Sequence, residues 1–237
     1  MADGAPKKVL FAHTPKAAGV HLIDYFTREL GYPRVQSRGR TEDGVWLDFT
    51  TRQLREETGA EHAFLNTHAL AFGWSALVEI IPFAEKEEIV EAIRAFRSDG
   101  WFTFTFVRHP GELLTSFYFY VLDLYERGRH KELATHVPVV GRTLEEFVSE
   151  HCEEELIPDY WREFDYAGVA SDKNFQEFFA RYFGHEFKPR ARLHASGSRG
   201  YAHYCKIGEL SHAAQKKIEG SRNMVIYREI LGGRDLA

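Results

Sequence analysis

Cysteine is scarce. Cys152 and Cys205 are the only two in 237 residues, too few for a disulfide framework and lacking C-x-x-C spacing. The fold must therefore rest on a packed core, and a reducing compartment is the expectation. Long apolar runs are missing too. No window approaches the roughly 18 apolar residues of a membrane span, and the opening MADGAPKKVL has no signal-peptide core. A cytoplasmic chain with no membrane partner is expected. Nor is there a basic excess: 30 Lys and Arg stand against 35 Asp and Glu, a net charge of −5. The bulk field thus favours neither nucleic acid nor anionic lipid, and any polyanion must be held by a local patch. Repeats, low-complexity tracts and Pro/Gly/Ser linkers are absent, which predicts one domain over 1–237 with a core of about 8–230. What the chain has in quantity is rings: 14% of it is Phe, Trp or Tyr, so core and pocket alike should be aromatic.

Periodicity divides the chain into alternating strands and helices. Lys8 to His13 (KVLFAH) is a nearly continuous apolar run, as in a strand buried on both faces of a parallel sheet. Leu22, Ile23, Phe26 and Leu30 then recur at helical spacing up to a stop at Gly31. Ala63 to Asn66 is a second strand candidate, and Glu85 to Ser98 an amphipathic helix. Trp101 to Val107 (WFTFTFV) is the best strand in the chain, and Glu112 to Tyr125 follows it with helical periodicity. Thr143 to Glu146 reads as a capping box. Asp172 to Phe183 is a helix with an aromatic stripe before Gly184, and Met224 to Tyr227 (MVIY) is a last short strand. Strands alternating with helices predict an α/β fold, a mostly parallel sheet covered on both faces.

In such sheets ligands sit beyond the carboxyl ends of strands. Two of those junctions carry unusual residues: His13 to Gly19 (HTPKAAG) and Val107 to Pro110 (VRHP). The first sets backbone N–H groups and Lys16 at a helix start, which suits an anion. It is not a Walker A loop, because the G-x-x-x-x-G-K-S/T spacing and the magnesium-binding hydroxyl are both missing, and no G-x-G-x-x-G fingerprint occurs.

HTPKAAGVHL resembles the 5′-phosphosulfate loop of sulfotransferases dependent on 3′-phosphoadenosine 5′-phosphosulfate (PAPS), written H-x-P-K-T/A-A/G-G-T/S. FTFVRHPGELLTSFYFY resembles their 3′-phosphate segment, F-x-x-R-H/D-P-x-x-R-x-x-S-x-Y/F. The nearest pattern is that of the group holding heparan sulfate 2-O-sulfotransferases, other Golgi carbohydrate enzymes, and bacterial sulfotransferases including polyketide-synthase domains. FLNTHALAFGW is similar to the strand and loop that carry the family's base, FDYAGVASDKNFQEFFARYFG to its F-D-x-V-G stretch, and RNMVIYREI to its terminal N-x-x-D-x-x-L-Y. Order and spacing agree over roughly residues 8 to 230.

The resemblance implies a P-loop-NTPase-like, three-layer α/β/α fold with a central parallel sheet, and transfer of a sulfuryl group from PAPS to a hydroxyl with release of 3′,5′-ADP. It gives Lys16 the 5′-phosphosulfate and the bridging oxygen as that oxygen gains charge, a task that suits a compact ammonium. Backbone N–H groups of Ala17, Ala18, Gly19, Val20 and His21 would hold the 5′-phosphate. Arg108 would take the 3′-phosphate bidentately with the Ser116 hydroxyl beside it. His68 would be the general base, with His13 as the competing candidate and an orienting role as its other reading. No metal is implied.

Departures from the pattern are visible. Val20 stands where the family has Thr or Ser, with His21 beside it as a substitute, and Leu113 stands where many relatives have Arg. Residues 192–200 align loosely with the late loop that closes over the nucleotide, making Ser196, Ser198 and Arg199 candidate cofactor contacts. Lys188, Arg190 and Arg192 before it read as a solvated charge run, and Asp24 and Glu112 as helix-surface carboxylates. His194, His203 and Cys205 fit no common metal template. The acceptor expected at this net charge is a small or carrier-bound alcohol, such as a β-hydroxyacyl chain on an acyl carrier protein, with carbohydrate as the other class. Two further readings stay open: a P-loop-like kinase or phosphotransferase, and a nonenzymatic 3′-phosphonucleotide-binding module.

Overall fold

Strand β1 (Lys8–His13) is covered on both sides, with Val9 and Phe11 packed on one face and Leu10 and Ala12 on the other. A near-continuous apolar run demands that environment. The computed structural model describes residues 4–14, 17, 19–35, 38–40, 46–48, 63–67, 85–128, 139, 141–188 and 207–233. It sets β1 at the centre of a five-stranded parallel sheet. On one side of β1 lies β5 (Ala63–Thr67) with the two-residue β2 (Arg34–Val35) outside it. On the other lie β6 (Trp101–Val107) and then β7 (Tyr166–Val169). A separate antiparallel pair joins β3 (Arg38–Arg40) to β4 (Trp46–Asp48).

Helices cover both faces. On one side α1 (Gly19–Asp24), which runs on as a π-helical turn through Tyr25–Glu29, packs beside α5 (Asp172–Phe183). Phe26, Phe104, Phe175, Phe178, Phe179 and Phe183 meet there in a ring cluster, with Phe11 and Phe104 stacked at 4.9 Å and 9°. Each buried phenyl is worth about 1.5–3 kcal/mol, so this stripe is a main source of stability. The opposite face carries α2 (Lys86–Ser98), α3 (Pro110–Glu126), α4 (Leu144–His151), α6 (His212–Gly220) and α7 (Arg222–Gly232).

Local chemistry explains where these elements begin and end. Thr143 and Glu146 form both halves of the expected capping box, and Ser171 caps α5 through the Asn174 N–H. Gly184 ends α5 at φ +58°, a left-handed conformation that glycine adopts without strain. One expectation fails: Met224 to Tyr227 is not a strand but lies inside α7. Ser221 accepts from the Met224 N–H to start that helix, and Asn223, Met224, Ile226 and Ile230 are buried at helical spacing. Cap and spacing outweigh the β-branched pair Val225-Ile226. Asn223 also clamps the chain before β7, accepting from Leu156 and Ile157 N–H and donating to the Cys152 and Glu154 carbonyls.

Candidate functional site

Chain order reverses across β1. The chain leaves β1 for the β2 edge, returns at β5 on one side, and crosses to β6 on the other. Ligands bind in the crevice outside the carboxyl ends of the strands at such a switch point. In sheet order the strands run second, third, first, fourth, fifth along the chain, which matches neither of the two common doubly wound dinucleotide and flavin arrangements. His13 lies opposite Phe106 in the parallel register. The last residues of β1 and β6 therefore end side by side, about 5 Å apart as neighbouring strands are, and both unusual loops open on one edge.

The loop after β1 is tight. Ala17 N–H donates to the Thr14 carbonyl at 3.1 Å, and Ala17 and Gly19 are buried where α1 begins. Thr14 is fully buried and its hydroxyl has no hydrogen-bond partner. Asn66, next to last in β5, is 4% exposed with Oδ1 likewise unpartnered. A buried polar atom without a partner calls for an explanation, and a held ligand is one. The His13 ring stacks on Phe11 at 5.2 Å and presses against Gly19, where an added Cβ would lie 1.8 Å from Nε2. Val20, in place of the expected hydroxyl, is 70% exposed. His21 is engaged by rings, edge-on to Phe187 at 5.3 Å.

The loop after β6 turns into α3 through Arg108, His109 and Pro110. Proline suits the first helical position, where an N–H has no intrahelical partner. Arg108 Nε donates to Glu112 Oε2 at 2.8 Å, and neither Nη group forms a hydrogen bond among the described residues. Glu112 is thus a partner for the Arg108 guanidinium and not simply a surface carboxylate; the i,i+4 spacing of R-x-x-x-E was the signal available for it. Ser116 is buried, 3% exposed, and does not lie on the helix surface. Ile207, where the described chain resumes, approaches the same helix start: a Cβ on Gly111 would lie 3.3 Å from its Cδ1. Lys16, Ala18, His68, Ser196, Ser198 and Arg199 lie outside the described residues, as do Arg190, Arg192, His194, His203 and Cys205.

His109 holds the helix. Its Nδ1 accepts from the Gly111 N–H at 3.2 Å, which only an unprotonated nitrogen can do. Burial pushes its pKa down, against the opposing pull of Glu112 and Glu219. The folded protein thus binds this proton less readily than the unfolded chain. The cap's contribution is complete above the ordinary imidazole range near 6.5 and is lost as pH falls through the lower folded value. Thermal unfolding at pH 7.5 and pH 5.5 should show an acid-side loss on the order of 1 kcal/mol. That loss should shrink in His109→Asn, which caps without titrating; an unchanged loss in the variant would refute the assignment.

No group of three or more metal-ligating side chains occurs among the described residues, and none of their helices is long and apolar enough to cross a membrane. No known family model, curated protein or solved structure matches the chain at a significant level.

Proposed function

We propose that the chain is a PAPS-dependent sulfotransferase of P-loop-NTPase-like, three-layer architecture. The observation that carries this reading is the β1–β6 register. The HTPKAAG loop and the RHP loop, which match the family's 5′-phosphosulfate and 3′-phosphate segments, leave neighbouring parallel strands at the switch point. A single nucleotide carrying phosphates on both sides of one ribose spans such a pair of loops. Helices on both sheet faces and the unpartnered Thr14 hydroxyl at the loop's first residue add support.

In the reaction the acceptor oxygen attacks sulfur as the bond from sulfur to the bridging oxygen breaks, and that oxygen leaves on the 5′-phosphate of 3′,5′-ADP. Lys16 neutralises its growing charge, and His68 receives the acceptor proton. Backbone N–H groups of residues 17–21 hold the 5′-phosphate. Arg108 and Ser116 hold the 3′-phosphate, and Ser196 and Arg199 cover the nucleotide. The acceptor is a small or carrier-bound alcohol, such as the β-hydroxyacyl chain on an acyl carrier protein, because a net charge of −5 disfavours a highly sulfated polysaccharide; carbohydrate is the other class.

Calorimetric titration with 3′,5′-ADP, ADP and 5′-AMP tests the reading. Micromolar binding of 3′,5′-ADP with ADP much weaker is the expected result. Equal binding of all three, or of none, would overturn it. Magnesium-dependent ATP turnover would point to a phosphotransferase, and tight 3′,5′-ADP binding without sulfuryl transfer across an acceptor panel would point to a binding module.

A further inference from the structure

His13 is nine-tenths buried. One ring face lies on Phe11 at 5.2 Å and 25°, and Phe11 in turn stacks on Phe104 at 4.9 Å. The ring is thereby the last layer of an aromatic column rising from the sheet. Its far edge meets the first residue of α1. A methyl group built on Gly19 would fall 1.8 Å from Nε2, 2.0 Å from Cε1 and 2.5 Å from Cδ2. No side chain survives at such distances, and what would have to move is a ring backed by two stacked phenyls. Nδ1, on the opposite edge, is out of solvent. A general base needs a nitrogen within hydrogen-bond reach of the proton it removes, and Nδ1 offers none to solvent.

Gly19 does not have a left-handed backbone, because its φ is not among the positive values of the chain's glycines. Conformational freedom therefore does not explain the residue. Close approach does, and the group that approaches is His13.

We propose that His13 is a positioning residue, a wedge between the end of β1 and the first turn of α1 that sets where the loop's N–H groups stand, and that Gly19 is the notch cut to receive it. The inference rests on the reading of this loop as the 5′-phosphosulfate site and deepens it by giving His13 the orienting role. The wedge acts on the bound anion only through the backbone of residues 17–21, so its loss displaces donors without deleting any. Small displacements of preorganised donors are costly, as binding elements must be held to within about 0.5 Å.

A double-substitution cycle on the full chain tests this, with thermal unfolding and 3′,5′-ADP titration as readouts. Gly19→Ala should lower the melting temperature by about 5 °C or more and weaken 3′,5′-ADP more than tenfold. His13→Ala should weaken it roughly tenfold with a smaller melting shift. In His13→Ala/Gly19→Ala the new methyl enters the space the ring vacated, so at least half of the Gly19→Ala melting loss should return. Such recovery is the mark of a wedge and its notch, since two unrelated structural lesions add. If Gly19→Ala does not fold, cooperative unfolding regained in the double variant reads the same recovery. Equal melting losses from Gly19→Ala with and without His13 would overturn the proposal, as would a Gly19→Ala chain that melts and binds like the unsubstituted one. Failure of the unsubstituted chain to bind 3′,5′-ADP would end the functional reading alone, and the melting cycle would still decide the wedge.

Discussion

Alanine at position 108 is expected to weaken 3′,5′-ADP about a hundredfold and to erase its advantage over ADP, while 5′-AMP binds as before. Arg108 leaves the end of β6 beside the end of β1 and keeps both Nη groups out of hydrogen bonds among the described residues. A guanidinium so presented grips a phosphate with two charge-assisted bonds, each worth about 1.5–3 kcal/mol. At 1.4 kcal/mol per tenfold, the pair spans two to four decades. The lower end applies here for two reasons. The side chain is 22% exposed, which admits screening water, and Glu112 already draws on the same charge through Nε. That ion pair is half-exposed and worth at most about 1 kcal/mol, so it orients the guanidinium more than it competes for it. Arg108→Lys retains the charge without the planar fork and should fall between the two. Calorimetry on the three nucleotides reads all of this, and a variant that still prefers 3′,5′-ADP over ADP would remove Arg108 from the 3′-phosphate site.

The sheet was legible where burial and chemistry agreed. β1 and β6 have apolar or aromatic runs that only a doubly covered strand explains, and both appear with the boundaries read from sequence. Residues 63–67 carry the same signal one residue longer. β7 was missed because Tyr166-Ala-Gly-Val169 holds a glycine and only half-buried neighbours, an edge-strand composition with little β signal of its own. What makes it a strand is tertiary: β6 pairs along it, and Asp165 just before it accepts from the Thr103 N–H at 2.8 Å and the Thr103 hydroxyl at 3.0 Å. β2, two residues long, has too little sequence to show a period at all. MVIY failed in the opposite direction, since its composition is that of a strand while the cap at Ser221 and burial at helical spacing make it a helix.

The candidate site was legible as two loops but not as a geometry. Nothing in HTPKAAG says that the histidine and the glycine touch, because the five-residue gap between them closes only when β1 turns into α1 over the buried Thr14. Ser116 was legible as a partner of Arg108 but not as a buried residue; its burial depends on what packs against α3 from elsewhere in the chain. Arg108 to Glu112 was open to sequence reasoning through spacing alone. The alternation of small and apolar residues around Val20 gave no sign that the valine would stand 70% exposed at the mouth of the loop.

Two substitutions should stop sulfuryl transfer while leaving the nucleotide bound, and their separation from Arg108→Ala distinguishes chemistry from recognition. On the proposed reading, Lys16→Ala removes the cation that meets the bridging oxygen as the bond to sulfur breaks. A donor aimed at charge that develops in the transition state is worth about 10²–10³ in turnover, whereas the 5′-phosphate of the product keeps the backbone N–H groups of residues 17–21. The rate should thus fall by that factor, with 3′,5′-ADP affinity changing less than about tenfold, or 1.4 kcal/mol. His68→Ala removes the proposed base and should cost about 10²–10⁴. It should also abolish the acid limb of the pH–rate profile, because there is no longer an imidazole to lose its proton before the reaction. Lys16→Ala should keep that limb at its lower rate. Labelled PAPS with a panel of hydroxyl acceptors, β-hydroxyacyl carrier conjugates and short carbohydrates among them, supplies the measurement. Undiminished transfer in Lys16→Ala would sink the phosphosulfate loop, and a pH limb that survives in His68→Ala would return the search for the base to the other histidines, His13 among them.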